Sequence, residues 1–325
     1  MSAEKIATAI FLMGPTAAGK TALALALHKR FPVEVISVDS SQVYRDMDLG
    51  TAKPTPEERA RVPHRLVDIR DPAQAYSAAE FRADALREID AVVRAGRIPL
   101  LVGGTMLYFH ALEHGLSPLP SADPALRREL VQQAADLGWR ALHERLQAVD
   151  PEAAARVHPH DAQRIQRALE IVELTGRPPT YWYGRKRHSA LPYELVRIGI
   201  YPQRKLLHER IRIRFECMLR AGLVDEVERL RARGDLGPDF PSMRTVGYRQ
   251  VWQYLTGQLS YNEMSERGVI ATRQLAKRQL TWLRSYQQVH FLDSSDHRLE
   301  AACVDYLAGA LGAEGPRKDY NVQPC

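Results

Sequence analysis

The feature that most constrains this 325-residue chain is an eight-residue loop close to its start. Gly14-Pro15-Thr16-Ala17-Ala18-Gly19-Lys20-Thr21 matches the GxxxxGK[ST] pattern of a phosphate loop. It follows a short apolar run, Ile6 to Met13, and opens into Thr21 to Lys29, rich in alanine and leucine and suited to helix. Strand, glycine loop and helix give the pattern its physical meaning. Consecutive backbone N–H groups and the positive end of a helix surround an anion, the glycines let it approach, Lys20 bridges its oxygens and Thr21 offers a hydroxyl to Mg²⁺. Residues 14–21 are therefore the candidate phosphate-binding set, with Thr21 the candidate metal ligand. The loop alone leaves open whose phosphate is held, a nucleotide being the default.

The next hundred residues continue the alternation. Val33 to Val38 and Ile98 to Val102 read as strands, and Ala78 to Ala95 as a helix ended by Gly96. Parallel strands cannot be joined by a hairpin, so this order predicts an α/β fold, a phosphate-loop parallel sheet with crossover helices. Ligands of such sheets collect at the carboxyl ends of the strands. The second strand delivers Asp39-Ser40-Ser41-Gln42 there, and the third delivers Gly103-Gly104-Thr105. Asp39 has three open readings: an outer-shell partner of Mg²⁺, a general base, or a cap on the following turn. Between these strands, Lys53 is either a pyrophosphate contact or a solvated loop lysine. His64 lacks a neighbour at metal-ligand spacing and reads as structural.

After Gly115 the pattern changes. Three prolines between Ser117 and Pro124 mark a boundary, and Pro124 to Leu137, Trp139 to Val149 and Ala162 to Leu174 read as helices. Val196 to Tyr201 reads as a returning strand, and Arg204 to Arg233 as a long helix in two parts around Gly222. The expected organisation is a catalytic core of residues 1–120 and 196–325 interrupted by an all-helical insertion, 121–195, with a frayed tail over the last fifteen or so residues.

Composition narrows the function classes. There are 45 basic and 39 acidic residues, and only 8 of the 45 are lysines, leaving 37 arginines. Arginine's planar fork suits phosphate, although codon bias produces the same skew. No run approaches the ~18 apolar residues of a membrane span. Cys217, Cys303 and Cys325 are odd in number and far apart, which suggests neither a disulfide framework nor a zinc site. A cytoplasmic location is expected.

Taken together, several blocks resemble one family. GPTAAGKT, DSSQVYRDMDLGTAKPT, PHRLVDIRDPAQAYSAAEF, LVGGTMLYFHAL, RIRFECMLRAGLVDEV, TVGYRQVW and TRQLAKRQLTWLR are similar, in order and spacing from about residue 8 to 292, to the tRNA dimethylallyltransferases, the bacterial isopentenyltransferases. Ala18 replaces a serine usual in that loop, and the zinc finger of eukaryotic relatives has no counterpart. The resemblance implies that the loop holds the diphosphate of dimethylallyl diphosphate rather than a nucleotide. It implies transfer of the allyl group to N6 of adenosine 37 beside the anticodon, with Mg²⁺ as cofactor. It assigns Asp39 as general base, Thr105 as a hydrogen-bonding partner near the reacting groups, and Lys20 and Arg214 to the diphosphate, with Arg210 and Arg212 as alternatives to Arg214 on spacing alone. Ser40, Ser41 and Gln42 fall where the family contacts the extruded adenosine.

The resemblance also implies RNA contacts at Arg127, at Gln163-Arg164-Ile165-Gln166-Arg167 and at Arg244-Thr245-Val246-Gly247-Tyr248-Arg249, and the basic charge of the C-terminal helices adds Arg273, Lys277 and Arg278 to the RNA-binding set. Further basic candidates are Arg156, Arg177, Arg185, Lys186, Arg187 and Arg284. Between 244 and 284 only Glu263 and Glu266 oppose the basic residues. Tyr254 and Tyr286 are interleaved aromatics, while Trp252 and Trp282 are assigned to the core. The expected partners are tRNA and dimethylallyl diphosphate, with no membrane, and the chain is expected to act as a monomer.

Overall fold

The computed structural model describes residues 7–183, 185 and 191–312. The strands are β1 (Thr8–Met13), β2 (Val33–Val38), β3 (His64–Arg65), β4 (Ile98–Gly103), β5 (Glu194–Tyr201) and β6 (His290–Asp293). They form one sheet in the order β3-β2-β4-β1-β5-β6, and every pairing is parallel. β1 lies between β4 and β5, and its residues Ala9 to Met13 are fully buried. That explains its unbroken apolar sequence, because a central parallel strand is covered on both faces. β3 and β6 are edge strands of two and four residues, too short for a period-two pattern to reveal them.

The helices of the core are α1 (Lys20–Arg30), α2 (Pro56–Arg61), α3 (Ala78–Arg94) and α4 (Met106–His114). Those of the inserted segment are α5 (Pro124–Leu137), α6 (Trp139–Val149), α7 (Pro151–Ala155), α8 (Ala162–Thr175) and α9 (Pro179–Tyr183). The chain then returns through α10 (Arg204–Arg220), α11 (Leu223–Ala232), α12 (Tyr248–Leu255), α13 (Tyr261–Leu283) and α14 (Leu299–Ala310). Local chemistry sets several starts. Ser77 with Glu80 and Ser260 with Glu263 form capping boxes on α3 and α13. Asp123 and Asp161 cap α5 and α8. Gly222, at φ 100°, takes the left-handed conformation that separates α10 from α11. Among the described residues no helix is long and apolar enough to cross a membrane.

Two compact units result. One runs to Leu112 and resumes at Pro192, and the other spans Glu113–Leu191. The expected limits of 121 and 195 thus move to 113 and 191. The proline-rich stretch belongs with the helices that follow it because its polar groups are satisfied there. Arg167 donates to the Pro120 carbonyl at 2.7 Å, and the Asp123 N–H donates to Glu170 at 2.8 Å. The helical unit has its own apolar centre, including Leu130, Leu142, Leu146, Ile165 and Leu169. Beside it, Glu170 is fully buried and held by Arg127 at 2.9 Å and Arg167 at 2.6 Å.

A second buried carboxylate organises the core. Glu226 of α11, 3% exposed, accepts from the backbone N–H groups of Asp48, Leu49 and Gly50 and from the Tyr248 hydroxyl at 2.5 Å. One side chain thereby fixes the loop after β2. Glu226→Ala leaves these donors buried without a partner, and we expect a loss of about 3 kcal/mol of stability, read from urea unfolding.

Candidate active site

The crevice lies at the carboxyl ends of β1, β2 and β4. The phosphate loop leaves β1 and wraps the start of α1, with Gly19 at φ 94° and Ala17 at φ 61°. A non-glycine residue in that region carries strain of about 1–2 kcal/mol, tolerated where it shapes a functional loop. Gly103 and Gly104 close the opposite wall. A Cβ on Gly103 would fall on the Val38 carbonyl, and one on Gly104 would lie 2.5 Å from Gln279 Nε2. These two positions therefore accept only glycine without displacement of the wall.

Lys20 donates from Nζ to the Gly14 and Pro15 carbonyls at 3.0 and 2.8 Å. Burial lowers its pKa to about 8, the Asp39 carboxylate opposing the shift and Arg214 adding to it. Burial also lowers the Arg214 pKa from its usual value, again opposed by Asp39. Two cations and one carboxylate thus share a shielded crevice, a net positive site suited to an anion. Arg214 lines both its phosphate-loop side and its inner side. Of the three arginine alternatives, Arg214 is the one that lines both sides of the crevice. Arg212 is tied to Glu209 and Glu216, and Arg210 donates to the Ser294 carbonyl at 3.3 Å while lining the rim.

Asp39 Oδ1 accepts from the N–H groups of Ser41 at 2.8 Å and Gln42 at 3.3 Å. It therefore caps the following turn, one of its three sequence readings, and it also lines the crevice. Thr105 Oγ1 accepts from the Ser40 N–H at 3.1 Å, joining the ends of β2 and β4. Inward of Asp39 and Arg214 is a small cavity of about 90 Å³ with an apolar wall of Ile211, Phe215, Met218, Val246 and Leu275. Thr245 reaches the same cavity.

Several assignments are corrected. Ile165 and Tyr248 are fully buried, so neither side chain is available to an RNA. Tyr248 serves Glu226, which together with burial pushes its hydroxyl pKa far up. Gly247 is buried, its N–H donating to Gln250 at 2.9 Å. Arg127 and Arg167 are bound to Glu170 but keep 43% and 30% of their side chains exposed, and Gln166 Nε2 donates to the Arg127 carbonyl at 2.9 Å, so burial does not remove these three positions from the RNA-binding set. The Gln42 amide accepts from the Ser37 hydroxyl and donates to the Ala52 carbonyl, which occupies the groups expected to read adenine. Lys53 is neither solvated nor aimed at a ligand: it is 8% exposed and bound to the Tyr44 carbonyl, Asp48 and Asp68. Trp252 is buried as expected, whereas Trp282 is 39% exposed and near His110. Gln163, Arg164, Arg244, Arg249, Lys277 and Arg278 are exposed, with Arg164 beside Asp161. Lys186, Arg187, Cys325 and the expected frayed tail lie outside the described residues.

Gln279 is the participant that sequence reasoning missed. From α13 its Oε1 accepts the Thr16 N–H at 2.9 Å and its Nε2 donates to the Gly104 carbonyl at 3.0 Å. The signal was present within TRQLAKRQLTWLR, where attention to basic residues passed over it.

A phosphate loop on a parallel sheet, with a carboxylate and a small apolar cavity beside it, defines a phosphate-loop transferase site. A model of the IPP transferase family matches residues 42–286, and the chain belongs to that family, a prenyltransferase enzyme family. The solved full-length tRNA isopentenylpyrophosphate transferase of Bacillus halodurans is 39% identical, with 94% of this chain and 97% of that one covered at a TM-score of 0.69. The tRNA delta(2)-isopentenylpyrophosphate transferase of Staphylococcus epidermidis is 32% identical, with 94% and 99% covered and a TM-score of 0.67. A eukaryotic dimethylallyltransferase acting on tRNA is 26% identical, with 96% and 81% covered and a TM-score of 0.77.

The Lys20 pKa gives a pH signature. An anion needs the protonated amine, so affinity for inorganic diphosphate should fall as pH rises through about 8, while Lys20→Arg should bind without that fall. Calorimetric titration from pH 7 to 9.5 checks both, and wild-type binding should take up protons near pH 8.5, on the order of half a proton per site.

Proposed function

We propose that the chain transfers the dimethylallyl group of dimethylallyl diphosphate to N6 of adenosine 37 in the anticodon loop of tRNA. The observation that carries this reading is the convergence of Lys20, Arg214 and Asp39 beside an apolar-walled cavity. A nucleotide kinase needs the phosphate loop but has no use for an apolar wall next to its carboxylate. Five carbons contribute at most ~4 kcal/mol at about 0.8 kcal/mol each, so the diphosphate supplies most of the anchoring and the wall supplies selectivity. The solved relatives described as acting on tRNA support the choice of acceptor.

In this reaction the allylic C–O bond breaks with its electron pair passing to the diphosphate, and the N6 lone pair closes the new C–N bond. The N6 proton passes to the Asp39 carboxylate. An adenine amino group is a poor nucleophile because its lone pair is delocalised into the ring, so removing its proton as the bond forms lowers the barrier. Lys20, Arg214 and the loop N–H groups stabilise the charge that accumulates on the leaving group. Ile211, Phe215 and Leu275 exclude water from the allyl fragment, which would otherwise be captured as the alcohol.

Magnesium is the cofactor of this reading. Thr21, exposed in the first turn of α1, lines the crevice and offers one hard oxygen. Among the described residues no group of three His, Cys, Asp or Glu side chains is suited to a metal. Such a donor set fits Mg²⁺, which is commonly held by one or two protein oxygens together with phosphate oxygens and water. Bound there, it would neutralise charge on the diphosphate. The reading takes the chain as a cytoplasmic monomer.

Two measurements test it. With labelled dimethylallyl diphosphate and either an unmodified anticodon stem-loop or AMP, label should enter the RNA, and label in AMP alone would overturn the assignment. Asp39→Ala should lower kcat by about 10²- to 10⁴-fold while leaving the Kd for the stem-loop within about twofold. Parallel losses in binding and rate would remove the general-base role.

A further inference from the structure

The small apolar-walled cavity of about 90 Å³ opens from the crevice through a shared rim. Thr16, Ala17, Asp39, Thr51, Arg214 and Gln279 line both it and the larger space around the phosphate loop, and so mark its mouth. Ile211, Phe215 and Met218 line the cavity alone, at i, i+4 and i+7 on one face of α10, and Val246 and Leu275 complete the apolar lining. Thr272 also reaches it, but its hydroxyl donates to the Gly268 carbonyl at 2.7 Å and has no hydrogen left for a ligand. Past the mouth the cavity is therefore built for hydrocarbon.

Its walls have little freedom to move. Phe215 is buried, and its ring fills a notch in α13 where a side chain is missing: a Cβ on Gly268 would lie 2.1 Å from Phe215 Cζ. The wall at Gly50 and Thr51 belongs to the loop whose backbone Glu226 holds, and a Cβ on Gly50 would lie 2.4 Å from the Tyr248 ring. Close-packed walls of this kind yield only at the cost of strain elsewhere, so the volume belongs to the fold rather than to one side-chain rotamer. The larger space offers an apolar chain no alternative, because it is lined by Lys20, Glu58 and His64 and takes the diphosphate.

We propose that this cavity gauges the length of the prenyl donor, with the Phe215 ring as its floor, admitting one isoprene unit and rejecting two. The proposal rests on the function proposed above. An apolar cavity of about 150 Å³ takes the six carbons of benzene, about 25 Å³ per carbon, so about 90 Å³ holds about four carbons. A dimethylallyl group has four beyond its reacting methylene, which then stays at the mouth beside Asp39 and Arg214. A geranyl group has nine beyond its methylene and needs about 225 Å³. Removing the six ring carbons of Phe215 enlarges the cavity to about 240 Å³, and truncating Met218 to alanine enlarges it to about 165 Å³. Transfer of the longer group balances as before: the allylic C–O bond breaks with its electron pair passing to the diphosphate, N6 closes the new C–N bond, and the N6 proton passes to Asp39.

The test compares kcat/KM for geranyl and dimethylallyl diphosphate with an anticodon stem-loop as acceptor, each product identified by the mass of the modified nucleoside. Wild type should favour the dimethylallyl donor by about 10³-fold or more, because one surplus methylene in a closed apolar pocket already costs about 10- to 200-fold. Phe215→Ala should narrow that preference by about 100-fold or more, and Met218→Ala by about tenfold. Phe291→Ala, which removes a half-exposed ring outside the cavity, should keep the wild-type ratio. A wild type that uses both donors alike overturns the proposal, as do cavity variants that transfer the dimethylallyl group yet keep the wild-type preference. A ratio narrowed as far in Phe291→Ala as in Phe215→Ala overturns it too, since general loosening then accounts for the change. Should Phe215→Ala unfold, Met218→Ala, only partly buried, carries the test. Absence of dimethylallyl transfer in the wild type fails the functional reading instead, and the two failures are distinguishable.

Discussion

The crevice depends on one carboxamide. Gln279 takes the Thr16 N–H on one oxygen and gives its amide hydrogen to the Gly104 carbonyl, so the phosphate loop and the end of β4 are held at a fixed separation by a helix far along the chain. Gly104 is glycine because any Cβ would displace that amide. The geometry also limits the ligand. Thr16 N–H is one of the donors that a phosphate loop presents, and here the protein already supplies it with an acceptor. The grip on an anion consequently falls on the remaining loop N–H groups, Lys20 and Arg214.

Buried carboxylates perform the corresponding task away from the crevice. Glu226 gathers three successive backbone donors and a tyrosine hydroxyl, and Glu170 gathers two arginines and the N–H of Asp123. A loop with unsatisfied donors must be solvated or given an acceptor, and a carboxylate can accept several donors at once. Lys53 is the inverse case, a buried ammonium shared by two aspartates and a carbonyl. Its charge is neutralised inside the loop, which leaves Lys20 and Arg214 as the cations that shape the field of the crevice.

The central strands, α1 and the loop were legible because each follows from local physics: an unbroken apolar run, a glycine pattern and helix-forming residues in fixed order. Asp39 and Thr105 were legible because strand ends of a parallel sheet point at one crevice. Side chains whose task is defined by a distant partner were not. Gln279, Glu226 and Glu170 look like ordinary helical polar residues, and nothing beside them in sequence announces a buried loop. Motif matching erred for a related reason. It marks every residue of a segment alike, whereas a helix turns Ile165 inward and Arg164 outward one residue apart.

The same distinction governs the arginines. A tally of 45 basic against 39 acidic residues treats each charge as equivalent, yet ion pairing makes many of them electrostatically quiet beyond their immediate surroundings. Arg127 and Arg167 count toward the basic character of the helical unit, but a fully buried glutamate neutralises much of their field. What an approaching polyanion senses is the remainder whose charge no nearby carboxylate offsets. The direction of attraction is thus set by where carboxylates are missing rather than by where arginines are most numerous. A chain with the same composition and a different placement of acids would present a different face to RNA.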